Sequence, residues 1–131
     1  MTTQIPESAL PLLDQPEFAT LATVLPDGQP HLSVVWVARE GNDLLMSTVV
    51  GRQKHRNLVA NPRATVLVYP KSNPYSYVEV RGQVTMTESD GRDLIDRLNK
   101  EYTGGDRYIG DDGTDNVRVI LRLTPDKVIT R

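Results

Sequence analysis

A small antiparallel β-barrel with accessory helices is the fold class this sequence predicts, and three observations carry the prediction. About six or seven short apolar segments rich in Val, Leu and Thr recur along the chain, the spacing expected of all-β domains. Most are joined by turn residues rather than by crossover helices, which makes neighbours antiparallel. A single segment, late in the chain, keeps a sustained helical period. With 131 residues the chain is long enough to bury one core, so a single domain over 1–131 is expected.

Residues 5–13 open with a short helix. Pro6 suits a first turn, and Pro11 keeps the helix short or irregular. Residues 18–25 (FATLATVL) form the first strand. Pro26-Asp27-Gly28 is a turn, because Pro fixes φ and Gly accepts positive φ. Residues 31–38 return as one strand, which makes a hairpin. Arg39 to Asp43 turn again, and residues 44–48 are the third strand. After Gly51 a brief helix runs from Gln53 to Ala60. Asn61-Pro62 ends it, since the residue before proline is pushed out of helical geometry.

Residues 64–69 read as a strand buried on both faces. A loop from Pro70 to Pro74 leads to a long strand over 76–87, with Gly82 marking a bulge. Residues 90–102 are the clearest helix, with Leu94, Ile95, Leu98 and Tyr102 at helical spacing. Residues 103–116 read as a mobile acidic loop that could cover a substrate entrance. Residues 117–124 alternate, placing Val117, Val119, Leu121 and Leu123 on one face and Arg118 and Arg122 on a solvated one. Pro125-Asp126-Lys127 turns into a last short strand, Val128 to Thr130.

Composition excludes several function classes. There is no cysteine, so neither disulfides nor thiol chemistry nor a Cys-based zinc site is available. The two histidines, His31 and His55, lie in different elements and no metal site is expected. Asp111-Asp112-Gly113-Thr114-Asp115 lacks the spacing and closing glutamate of a calcium loop, and reads as a turn. No apolar run approaches the ~20 residues that span a bilayer, and the N-terminus has no signal-peptide pattern. A soluble cytoplasmic protein with no membrane or nucleic-acid partner is the expectation, the latter because the formal net charge is −2.

That charge is unevenly placed. No acid stands between Asp43 and Glu79, while Arg52, Lys54, Arg56, Arg63 and Lys71 are basic. The window therefore carries +5, leaving −7 elsewhere. A structural surface usually mixes signs, so a basic window in an acidic chain points to an anion. Gly51 lets the backbone turn tightly into a helix N-terminus, where free N–H groups and a partial positive charge favour phosphate. Arg52 offers a fork and Lys54 a mobile point charge. Ser47 and Thr48 add hydroxyls from the preceding strand, and Arg56 lies one turn beyond Arg52.

The run Gly-Arg-Gln-Lys-His-Arg-Asn-Leu (51–58) followed by Asn61-Pro62-Arg63-Ala64 resembles the split β-barrel proteins related to pyridoxamine-phosphate oxidase. Within that family it resembles the class using the deazaflavin coenzyme F420. Phe18 to Thr23 resembles the family's first strand, Asp27 to Ser33 its first hairpin, and Asn73 to Gly82 its long strand. The resemblance covers the chain to about Gly82 and weakens after Glu88. It implies an FMN-binding-like split barrel and a homodimer with cofactor sites at the subunit interface. It further implies that Arg52, Lys54 and Arg56 hold the phosphate or acidic tail, supported by Ser47, Thr48 and Asn57. Ser33 and its neighbours would line the ring, and Tyr75 and Tyr77 would wall the pocket from the partner subunit. Val34 and Tyr75 depart from residues common in relatives. Only Ile129-Thr130-Arg131 follow Val128, which leaves out the C-terminal substrate segment of a pyridoxamine-phosphate oxidase.

The implied function is an F420-dependent oxidoreductase moving a hydride between reduced F420 and an electron-poor unsaturated small molecule. An FMN-dependent enzyme of the same fold, or a non-catalytic carrier, is the alternative. A catalytic side chain is not required by this chemistry. His31 and Tyr75 are the candidates if a proton donor is needed. Trp36, on a strand, reads as core or dimer contact.

Overall fold

The computed structural model describes residues 2–131. A 3-10 turn, Glu7–Ala9, leads into α1 (Leu10–Leu13). Then follow β1 (Ala19–Val24), β2 (Pro30–Val35), β3 (Ala38–Glu40), β4 (Asp43–Val49) and α2 (Gln53–Ala60). The chain closes with β5 (Arg63–Val68), β6 (Val78–Thr87), α3 (Gly91–Thr103) and β7 (Arg118–Thr130). All neighbouring strands are antiparallel, in the spatial order β2-β1-β5-β6-β7-β4-β3.

This order contains its own proof of curvature. β2 and β3 are the two outermost strands, yet only Trp36 and Val37 lie between them in sequence. Three Cα–Cα steps reach at most about 11 Å, so the sheet must curl until its edges nearly meet. The result is a split β-barrel. Leu21, Leu44, Met46, Val66, Val80, Val84, Leu121 and Leu123, from five different strands, fill its interior in one buried cluster.

The seam corrects one sequence expectation. Residues 31–38 are not one strand. The chain leaves β2 after Val35 and begins β3 at Ala38. The cause is Tyr102 on α3, whose hydroxyl accepts from the Val37 amide (3.0 Å) and donates to the Glu17 carbonyl (2.7 Å). A buried backbone donor needs a partner, and here a side chain supplies what a strand neighbour would.

Three further expectations change. Pro125 does not end a strand. It sits opposite Gly82 at the register shift in β6, where a missing N–H costs no ladder bond, so β7 runs unbroken to Thr130. Gly82 itself is required there, because a Cβ would collide with the Thr124 carbonyl. The loop 104–117 is not loosely held: Asp111 fastens it to β7 and α3. Arg118, assigned from alternation to the solvated face, is only 5% exposed and pairs with that aspartate.

A second, smaller cluster lies outside the barrel. Leu94 and Leu98 of α3 pack on Ala38, Leu45, Trp36 and Ile120, so α3 covers the outer face of β3, β4 and β7. The N-terminus of α3 is pressed against β7, since a Cβ at Gly91 would collide with the Arg118 carbonyl. That close approach leaves a space beside α3, between β2, β4 and α2. Among the described residues no helix is long and apolar enough to cross a membrane.

Candidate functional site

The space beside α3 is a cavity of about 300 Å³ lined by Phe18, Val34, Val35, Trp36, Ser47, Arg52, Lys54, Ile95, Leu98, Tyr108 and Arg118. Strand alternation decides which side chains reach it. In β4, Leu44, Met46 and Thr48 face the barrel interior, while Ser47 faces outward beside Ile120 and Arg118. In β2, Ser33 pairs across with the core residue Leu21, whereas Val34 points the other way into the cavity.

The turn into α2 is tight, as Gly51 allows. Gly51 adopts φ +92°, and Arg52 takes an extended N-cap conformation with no capping side chain. The Gly51 amide donates to His55 Nδ1 (3.1 Å), and the Arg52 amide donates to the Val49 carbonyl (3.1 Å). Helical bonding starts with Arg56 to Arg52. The amides of Gln53, Lys54 and His55 are thus left without an acceptor among the described residues, as at any uncapped helix start. Arg52 and Lys54 flank them on the cavity wall. Burial, then the charges of Arg52 and Arg118, pull the Lys54 ammonium below the usual lysine range. Among the described residues no acid pairs with Arg52 or Lys54, so a negative charge placed between them would relieve their mutual repulsion.

Other sequence candidates are placed elsewhere. Arg56 turns back on its own helix start, donating to the Gly51 carbonyl and to Gln53 Oε1 (2.6 Å), and borders a different groove near Pro26 and Asn61. Asn57 is buried. Its amide donates to Thr23 Oγ1 (3.0 Å) and its carbonyl accepts from Gln53 (2.7 Å), which ties α2 to β1. Thr48 is fully buried on the interior face, with no partner for its hydroxyl among the described residues. Ser33 Oγ and His31 Nδ1 are likewise buried without partners there. Tyr75 is 84% exposed on its loop, and Tyr77 receives a hydrogen bond from Arg131 (3.2 Å) beside the C-terminus. Neither tyrosine reaches this cavity within one chain.

Sequence reasoning missed the aromatic wall and Arg118. Trp36 stacks on Tyr102 (centroids 5.3 Å, 18°) and meets the edge of Tyr108 (6.2 Å, 89°). Phe18 lies 5.9 Å from Tyr102 and carries the Lys71 ammonium 5.3 Å over its ring. These rings come from four separate stretches, so no local period announces them. Arg118 lies under Tyr108, its guanidinium carbon 4.9 Å from the ring centre. The one hint was a lone apolar-flanked arginine that follows an aspartate-rich loop closely.

Such a cavity suits a ligand with a planar apolar part and an anionic arm. One side offers rings and aliphatic carbons. The other offers Ser47, two cations and three free amides. Among the described residues no group of acids and histidines could hold a metal ion.

Known proteins share this fold. The family profile of pyridoxamine 5′-phosphate oxidase matches residues 5–131. A pyridoxine/pyridoxamine 5′-phosphate oxidase of Rhodopseudomonas palustris (strain BisB5) is 36% identical over 85 residues, which are 63% of this chain and 40% of that protein. The aligned part thus spans well under half of that relative's length. Among solved structures, an F420 reductase superposes with a TM-score of 0.86 at 34% identity, covering 97% of this chain and 100% of that one. A conserved hypothetical protein from Mycobacterium tuberculosis (TM-score 0.72, 23% identity, covering 97% and 88%) shares the fold. So does general stress protein 26 from Bacillus anthracis (0.70, 19%, 93% and 89%). The resemblance read from residues 18–82 and the match over nearly the whole chain coincide: the chain belongs to the pyridoxamine 5′-phosphate oxidase family of split-barrel oxidoreductases.

Proposed function

We propose that this protein is an F420-dependent oxidoreductase acting on small, electron-poor unsaturated molecules. The observation that carries the reading is the pairing of an acid-free cationic corner (Arg52, Lys54 and the free α2 amides) with an aromatic and aliphatic wall in one cavity. The likeness to an F420 reductase at 34% identity over the full length supports it.

F420, when bound, supplies a hydride from its deazaflavin ring. The chain's residues do the rest. Arg52, Lys54 and the amides of Gln53 and Lys54 hold the phosphate. The Ser47 hydroxyl adds a donor. Val34, Trp36, Phe18 and Tyr108 cover the ring and keep water from it. FMN is the second reading, supported by the family match and by the same donor set, since both cofactors join a tricyclic ring to a phosphate arm.

The reading includes a homodimer. A cavity of about 300 Å³ sits at the lower end of ligand pockets, too small to enclose a tricyclic ring with its arm. Its open side adjoins Val34 (70% exposed) and Leu32 (62% exposed) on the edge strand β2. An exposed apolar edge next to an incomplete pocket fits a second copy of the chain, with Tyr75 and Tyr77 of one subunit reaching the other's ring.

Parallel fluorescence titrations with F420 and FMN, then reduced F420 with quinones, enones and nitro compounds, test the reading. Tight F420 binding with weak FMN binding, and oxidation of reduced F420 by at least one acceptor, support it. Tight FMN binding without measurable F420 binding moves the protein to the flavin branch. Binding without turnover makes it a carrier.

A further inference from the structure

We propose that Arg118 is a further phosphate-binding residue of this cavity, with Asp111 as the positioning residue that aims it. The proposal rests on the reading of the cavity as a site for a phosphorylated cofactor.

Arg118 begins β7 and is 5% exposed, yet it lines the cavity. Its Nε and Nη2 donate to the two carboxylate oxygens of Asp111 at 2.7 and 3.0 Å. That carboxylate is fully engaged, because it also accepts from Arg92 Nη1 (2.7 Å) and Asn116 Nδ2 (2.8 Å). Nothing remains on Asp111 for the third nitrogen. Among the described residues Arg118 Nη1 has one contact, the Ser47 hydroxyl at 3.4 Å, longer than a good N–H···O bond. The Tyr108 ring covers one face of the guanidinium at 4.9 Å and stops it from swinging away.

A buried donor on a rigid fork is therefore held beside the cavity with its hydrogen-bonding capacity underused. Leaving such a group unsatisfied is costly, and an anionic oxygen lying between Nη1 and the Ser47 hydroxyl would satisfy it. Arg52 and Lys54 line the same space from α2. The Lys54 ammonium, depressed first by its own burial, also feels both arginines, so the three cations share one field. The division of labour follows from charge. Asp111, shared with Arg92, offsets part of the charge of Arg118, which then acts mainly through direction. Arg52 and Lys54 supply the net attraction.

The test compares FMN against riboflavin, which differ only in phosphate, and F420 against its deazaflavin ribitol core, which lacks both the phosphate and the acidic tail. Arg118→Lys keeps a cation for Asp111 but has no planar third nitrogen. It should weaken binding of the phosphorylated ligand about tenfold, the scale of one charged hydrogen bond, and leave the phosphate-free ligand unchanged. The double variant Asp111→Leu/Arg118→Met removes the pair without stranding a buried charge and should show the same selectivity. Equal losses for both ligands, or no loss, overturn the proposal by reducing Arg118 to a loop fastener.

Inorganic phosphate separates this failure from failure of the cofactor reading. If neither F420 nor FMN binds the wild type, a phosphate-induced rise in Tm that disappears in Arg118→Lys upholds Arg118 and rejects the cofactor. The absence of that rise rejects both.

Discussion

Two corners of one cavity use the same side chain for opposite ends. At the start of α2, Arg52 stands with Lys54 and, among the described residues, no acid pairs with them and the helix amides beside them have no acceptor. At the start of β7, Arg118 stands with Asp111, which also collects Arg92 and Asn116. The first corner crowds like charges around a half-buried Lys54, which opposes folding. The second is charge-paired by the chain itself through Arg118 Nε and Nη2, with Nη1 left weakly bonded, and it stabilises the fold. A basic residue near a pocket therefore says little until its counter-charges are counted. On the proposed function, the α2 corner trades stability for binding, and the β7 corner supplies the rigidity that lets it.

The comparison breaks most readily at Asp111. Asp111→Ala leaves Arg118 buried and uncompensated, and removing one partner of a buried pair costs about 3–5 kcal/mol. Urea unfolding should show a loss on that scale, and a loss near zero would mean the two corners do not differ.

The pH dependence should separate the corners at opposite ends of the scale. The Arg118 guanidinium, Asn116 and Arg92 hold the Asp111 carboxyl down to about 2, from an ordinary value of 3.8. A depressed acid stabilises the fold above its unfolded pKa and loses that contribution as pH falls through the folded one. The contribution, about 2 kcal/mol by linkage, should be intact above pH 4 and fade toward pH 2. Lys54 has the opposite sense. Its folded pKa lies below its unfolded one, so its charge opposes folding at neutral pH, and the penalty should ease as pH rises toward 10.5. Urea midpoints in Asp111→Leu/Arg118→Met and in Lys54→Met against wild type isolate each limb. A wild-type acid limb unchanged in the double variant, or an alkaline limb unchanged in Lys54→Met, would contradict the assignment.

The smallest effect sharpens the contrast by burial alone. Arg107 and Asp112 form an equally short ion pair (2.8 Å) on the same loop, but both are more than half exposed. Exposed pairs contribute little, so Arg107→Ala should leave the urea midpoint within experimental scatter.

Legibility in the sequence followed the range of the cause. The α2 boundaries were readable because Gly51 and Asn61-Pro62 act on their immediate neighbours. The Gly82 bulge was readable for the same reason. The cationic corner was readable because a charge imbalance is a property of composition. The break after Val35 was hidden, since its agent, Tyr102, lies 65 residues from Val37. Arg118 was misread because alternation correctly places it outside the barrel, and outside was equated with solvent. There α3 and the loop 104–117 form a second layer that strand periodicity does not encode. Thr48 and Ser33 show the reverse case: the residue types suit a ligand, and alternation turns them toward the interior face of one chain.

The most direct test of the central claim is F420 affinity and urea midpoint measured together on wild type and Lys54→Glu. The expected result is an affinity lower by a hundredfold or more, about 3 kcal/mol from one lost charged hydrogen bond plus repulsion, with the midpoint unchanged or raised. Unchanged affinity would contradict the phosphate assignment, and a collapsed midpoint would mean the α2 corner holds the fold together instead of the ligand.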